Sequence, residues 1–252
     1  MCNGPDNSGG TAAAGTGTIT ASVRSLVPNH PACTEALALA RSSLPASLLY
    51  HSFRVYLYAQ AFQHFFQDDG NPSPSPSPAS QASTSSSAGP SAPTPPHVLF
   101  VASLLHDIGT ATVHDPVPER FEVVSADAAA AILRSHGTPE YLVKDAWLAM
   151  ALHTSPGIAE RLGGTVRALR LAVRADFGSY PAPAAELLPG GAETVNVIRW
   201  KLPRLEIEKD LGDAVVRQAL GEPLKAPGGS WPGDLVRAKR EDPGWEGVNR
   251  AF

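Results

Sequence analysis

The chain has 252 residues, 43% of them hydrophobic, enough for one sizeable domain or two small ones. A net charge of −4 and a pI near 6 exclude the basic footprint of a nucleic-acid binder. Two cysteines, Cys2 and Cys33, exclude a disulfide framework and suit a reducing, cytoplasmic setting. No apolar run reaches the length of a membrane span, and the N-terminus lacks a signal-peptide pattern. Aromatic residues make up 7%, and abundant Ala and Leu favour helices over sheet.

Residues 1–24 are rich in Gly, Ala, Thr and Ser without periodicity and read as a disordered tail. Thr34 is placed to cap a helix running through EALALARSSL. Pro45 opens a second helix, reaching about Phe66. His51, Val55, Tyr58, Phe62 and Phe65 follow at steps of three and four, so His51 shares the apolar face. Arg54 falls beside that face, where it would pair with a carboxylate. Residues 70–96 are Pro/Ser-rich, 17 of 27 being one or the other, which excludes helix and strand. They read as an insertion in a surface loop of one domain spanning 25–252 rather than as a linker, because histidines on either side look like parts of one site.

The run that follows, VLFVASLLHDIG from Val98 to Gly109, is apolar up to Leu105 apart from Ser103. It ends abruptly in His106-Asp107, a metal-binding imidazole and a carboxylate that need a partner when buried. Gly109 suits a left-handed helix stop. A helix is expected over Phe121–His136, with Glu122 in its first turn near the positive end of the helix dipole. Thr138 is then placed as N-cap, with Pro139 at the first position of a helix to His153. Val143, Ala146, Met150 and His153 share one face. A short helix over Ile158–Leu162 and a longer one over Val166–Arg174 lead to Asp176, with Arg167, Arg170 and Arg174 on a solvated side. Loop or broken helix follows to Gly191, then helices over Ala192–Lys201, Leu205–Leu220 and Asp234–Arg240. No alternating strand pattern and no phosphate-cradling Gly loop occur.

His51, His106, Asp107, His153 and Asp176 are therefore the candidates for chemistry. Imidazoles with carboxylates suit Zn, Fe, Mn or Ni rather than Ca or a thiolate site. Separate buried helices are where helical bundles place metal ligands. His30, His64, His97 and His114 lie in or near loops and carry no assignment; His136 is a spare histidine near the candidates.

The order H…HD…D resembles the HD-domain superfamily, an all-α metal-dependent helical bundle. HSFRVYLY, LLHDIGTA, RFEVVSADAAAAILRSHG, ALHTSPGIA and LAVRADFG, with the C-terminal WEGVNRAF, are similar to the cyanamide hydratase-like branch of fungal HD proteins. The resemblance implies metal ligands at His51, His106, Asp107 and Asp176, holding one divalent ion, zinc before iron or manganese. It implies that Thr154 and His153 face a small-molecule substrate, and that water is added to cyanamide to give urea. Tyr50, where that branch normally carries a polar residue, and the long 70–96 insertion depart from the pattern. An HD-type nucleotide phosphohydrolase and a non-catalytic metal-stabilised binding protein are the alternatives. Neither nucleic acid nor membrane is an expected partner; a homo-oligomer is expected only on the general ground that homo-oligomers are common.

Overall fold

The computed structural model describes residues 21–68, 93–180, 186, 188–245 and 247–248. The tail to residue 20, most of the Pro/Ser segment and the last residues lie outside the described residues. Helices in chain order are α1 (Ala21–Arg24), α2 (Pro31–Ser43), α3 (Ala46–Asp68), α4 (Pro96–Leu105), α5 (Phe121–Ser135), α6 (Glu140–Leu152), α7 (Gly164–Asp176), α8 (Gly191–Lys201), α9 (Ile207–Gly221) and α10 (Trp231–Glu241). No strand occurs among the described residues, so the protein is the all-α bundle expected. The tail's expected end at residue 24 falls inside α1, where Val23 is already buried.

Two helices form the centre. Every residue of α4 from Val98 to Leu105 is buried, and each large apolar side chain there contributes about 1.5–3 kcal/mol by leaving water. The longer α3 lies against both α4 and α7, while α5 packs on α6 and α4. Burial on α3 exceeds the single expected face: Ser52, Phe53, Arg54 and Tyr56 are buried with His51, Val55, Tyr58 and Phe62. Small residues let α2 approach closely, since Ala32, Ala36 and Ala40 recur at helical spacing on its buried side toward α4 and α5.

Several helix ends differ from expectation, each for a local reason. Helix α2 begins at Pro31, not after Thr34, because His30 is extended and its Nδ1 accepts from the Ala32 amide at 3.2 Å. Pro31 then sits at a first-turn position that needs no amide. Helix α6 starts at Glu140, with Pro139 extended before it; the Thr138 hydroxyl is buried and caps nothing. Helix α9 begins at Ile207, since Leu205 adopts φ +49. Helix α10 starts earlier than expected, at Trp231, where the Ser230 hydroxyl accepts from the Gly233 amide at 3.2 Å.

Gly109 also departs from its expected role. It is not a left-handed stop; it lies within a 3-10 turn over Ile108–Thr110. A Cβ built there would sit 2.2 Å from the Phe121 carbonyl oxygen, so the glycine is required because the start of α5 crosses it. Its amide donates to the Ser125 hydroxyl at 2.9 Å and its carbonyl accepts from Gln218 Nε2 at 2.9 Å. The turn that carries the HD pair is thus held by α5 and α9. Gly109→Ala is predicted to cost about 3 kcal/mol in denaturant unfolding, as overpacking against backbone does. Gly137→Ala, at φ +73 with open space around it, is predicted to cost about 1 kcal/mol. Equal costs for the two would contradict the crossing.

Candidate metal centre

Four side chains from three helices converge in the core. His51 comes from the first half of α3, His106 and Asp107 from the end of α4, and His153 from the end of α6; all four are buried. His51 Nε2 lies 3.2 Å from His106 Nε2. Asp107 Oδ2 lies 3.2 Å from His106 Nε2 and 3.6 Å from His51 Nε2. His153 Nε2 approaches the other oxygen, Oδ1, at 3.5 Å.

The far side of each imidazole decides what its near side presents. His106 Nδ1 donates to the Ser103 carbonyl at 2.8 Å, and His153 Nδ1 to the Met150 carbonyl at 2.6 Å. Both are bonds to the carbonyl three residues back, made as each helix ends. His51 Nδ1 donates to Asp176 Oδ2 at 2.7 Å. A nitrogen that donates to an oxygen carries the proton, so in each neutral ring Nε2 has a bare lone pair. The three Nε2 atoms and the Asp107 carboxylate are therefore acceptors aimed at one another. Among the described residues neither oxygen of Asp107 has a hydrogen-bond partner. A buried carboxylate without a donor is strongly unfavourable, and a cation resolves it.

The donor set fits such an ion. Ligand atoms of His51, His106 and Asp107 lie within 4.8 Å of one another. Donors ~2.1 Å from one tetrahedral ion are spaced about 3.4 Å apart, close to the three separations given. Without metal, protons take its place. Burial disfavours charge on His106, but the adjacent Asp107 carboxylate outweighs it and raises the pKa. Burial likewise opposes ionisation of Asp107, and the His106 and His153 side chains overcome it and hold the pKa low. For His51, burial dominates and lowers the pKa despite Asp176.

A family model of the HD domain matches residues 48–189. The chain belongs to the HD-domain family. No curated protein matches the chain. HD domains are typically metal-dependent hydrolases that bind divalent ions, and the His51, His106 and Asp107 positions of the HD centre come together as the resemblance implied.

Asp176 is placed differently from the expected direct ligand. Its oxygens are turned to Arg54, whose Nε donates to Oδ1 at 2.6 Å and Nη2 to Oδ2 at 2.9 Å, and to His51 Nδ1. It reaches the cluster through the back of the His51 ring, because a buried arginine on α3 claims the carboxylate first. Burial raises its pKa, but the bonds from His51 and Arg54 prevail and keep it ionised. The expected pairing of Arg54 with a carboxylate is this one.

The HD centre has further residues around it that the sequence left in minor roles. Glu122, expected as a first-turn dipole partner, is fully buried. Its Oε1 accepts from the Thr154 hydroxyl at 2.7 Å and from Arg120 Nη2 at 2.5 Å. Arg170, expected on a solvated face of α7, is buried: it donates to Glu160 at 2.9 Å and to the His153 carbonyl at 3.0 Å. Helical spacing does not separate it from Arg167 and Arg174; only the Glu160 and His153 carbonyl partners, 10 and 17 residues away, do. His136 is outside the centre and bonds Glu35 at 2.7 Å, while the His30 and His97 rings stack at 4.1 Å.

Metal-free protein is predicted to bind one Zn²⁺ per chain with release of protons, since the raised His106 pKa leaves a proton to be displaced. Affinity should therefore rise with pH through the histidine range and fall on acidification. Calorimetric titration in buffers of different ionisation enthalpy measures this. Binding that is independent of pH between 5 and 8, or intact in Asp107→Ala, would contradict the assignment.

Proposed function

We propose that the protein is a metal-dependent hydratase of a small C–N compound, with cyanamide the substrate and urea the product, as in the cyanamide hydratase-like branch it resembles. On this reading residues 25–252 form one HD domain acting on a free small molecule.

The observation that supports it most is the chemistry of Thr154. The residue next to His153 is buried, and its only hydroxyl hydrogen is committed to Glu122. Toward the neighbouring pocket, which Thr154 lines with Arg120, Ser155, Ile158, Trp231 and Asp234, it offers lone pairs. An amine N–H is what such an acceptor holds. The pocket is about 220 Å³, below the roughly 300 Å³ at which pockets for drug-sized ligands begin. Arg120 spends its Nε and Nη2 on Glu122, at 3.3 and 2.5 Å, and Asp234 pairs with Arg237 at 3.0 Å. A small neutral molecule suits this lining better than a phosphate ester, which needs cations of its own.

The fit of the donor set assigns His51, His106 and Asp107 to the ion. A divalent ion there supplies Lewis acidity, which activates water at neutral pH. The chain's residues do the rest. Thr154 accepts from the substrate amine and orients the nitrile. His153, fixed by its Met150 and Arg170 contacts, exposes Nε2 as the atom that takes a proton from the attacking water and returns it to the nitrile nitrogen. The oxygen–carbon bond forms as one C–N π bond breaks, and a second proton shift from oxygen to nitrogen gives urea. Glu122 holds the Thr154 hydroxyl in its accepting orientation.

Purified, zinc-loaded protein is predicted to form urea from cyanamide and to release no phosphate from nucleoside monophosphates. His153→Ala should lower kcat by about 10²–10⁴-fold with metal content unchanged. Phosphate release without urea would replace this substrate class with nucleotides. Near-normal turnover of the variant would remove His153 from the proton transfer.

A further inference from the structure

The family match ends at residue 189, yet the turn between α8 and α9 reaches the groups behind His51. Arg54 Nη1, on the side away from Asp176, donates to the Leu202 and Pro203 carbonyls, each at 3.1 Å. Arg204, the next residue, donates from Nη1 to the backbone carbonyl of Asp176. The same nitrogen lies 3.5 Å from the Asp176 Oδ2 carboxylate oxygen. Its guanidinium sits over the Phe177 ring at 5.6 Å, and that ring packs on the His51 ring at 4.9 Å.

We propose that Arg54 and Arg204 are positioning residues of the metal centre, clamping Asp176 against His51 Nδ1 so that His51 Nε2 is presented to the ion. The proposal rests on His51 being a metal ligand. A buried carboxylate with His51 as its one partner would be free to turn. The Arg54 fork fixes the plane of the carboxylate, because two parallel bonds to its two oxygens permit one orientation. Arg204 fixes the backbone of the same residue and adds a second positive charge beside Oδ2. An immobile Asp176 carboxylate accepts the hydrogen bond from His51 Nδ1–H, which sets the tautomer of His51 and strengthens its other nitrogen as a donor to metal. The segment after residue 189 thereby completes the site from outside the matched region. Arg204 differs from Arg54 in one useful respect: its side chain is 38% exposed, so it can be replaced without leaving a hole in the core.

Zinc titration of the metal-stripped full chain tests this. Arg204→Ala is expected to weaken Zn²⁺ binding about tenfold, as loss of an orienting group behind a metal-bound histidine does. The thermal midpoint of its metal-free form should shift no more than that of Arg134→Ala, which removes a remote exposed ion pair. Arg204→Lys, keeping the charge with fewer donors, should fall between wild type and Arg204→Ala. Unchanged zinc affinity in Arg204→Ala overturns the proposal, as does weakening matched by an equal loss of metal-free stability. His51→Ala separates the two levels: its loss of zinc with Arg204→Ala unaffected removes only the clamp, whereas its retention of zinc removes the metal assignment as well.

Discussion

The fold is arranged around a buried carboxylate that receives no hydrogen bond among the described residues. Asp107 has both oxygens inside the core, facing three imidazole nitrogens that are themselves acceptors in the neutral rings. Such a cluster calls for a cation, or for the protons that stand in for one, and each ring is held in it by a tie from behind. Ser103, Met150 and Asp176 each accept a hydrogen bond from an Nδ1–H. The polar groups are therefore not exceptions to the packing of α3, α4 and α6. They are positioned by it, since two of the three ties are carbonyls freed where a helix ends.

Much of this was legible in the sequence. The apolar run Val98–Leu105 broken by His106-Asp107 marks a buried helix with a polar end, and helical spacing places His51 and His153 on inward faces. These signals are local, so they survive folding unchanged. What was not legible depends on partners distant in sequence. Gly109 reads as a helix stop, but the backbone of Phe121 sets its need for no side chain. Arg170 reads as solvated, yet it bonds the carbonyl of His153. Asp176 reads as a ligand by its place in the H…HD…D order, while Arg54 and His51 occupy its oxygens in the structure. Spacing along one helix carries no information about which side chain a neighbouring helix will bring to it.

The chemistry follows from how the acceptors and donors divide. On the metal side the chain offers lone pairs alone, which suits a divalent ion. On the pocket side Thr154, its hydrogen held by Glu122, again offers lone pairs. A substrate bringing N–H donors complements that edge. Arginines around the HD centre meet carboxylates of the chain itself: Arg120 meets Glu122, Arg54 and Arg204 meet Asp176, and Arg170 meets Glu160. Their charge serves to hold carboxylates in place, which leaves little of it for binding a phosphate.

The central claim is that His51, His106 and Asp107 share one divalent ion. X-ray absorption of the purified, metal-loaded protein tests it most directly, because the fine structure reports the ligand atoms themselves. One metal per chain is expected, with imidazole scattering from at least two histidines and N and O donors at about 2.0–2.2 Å. A bound metal without the imidazole signature, or a signature unchanged in His106→Ala, would contradict it.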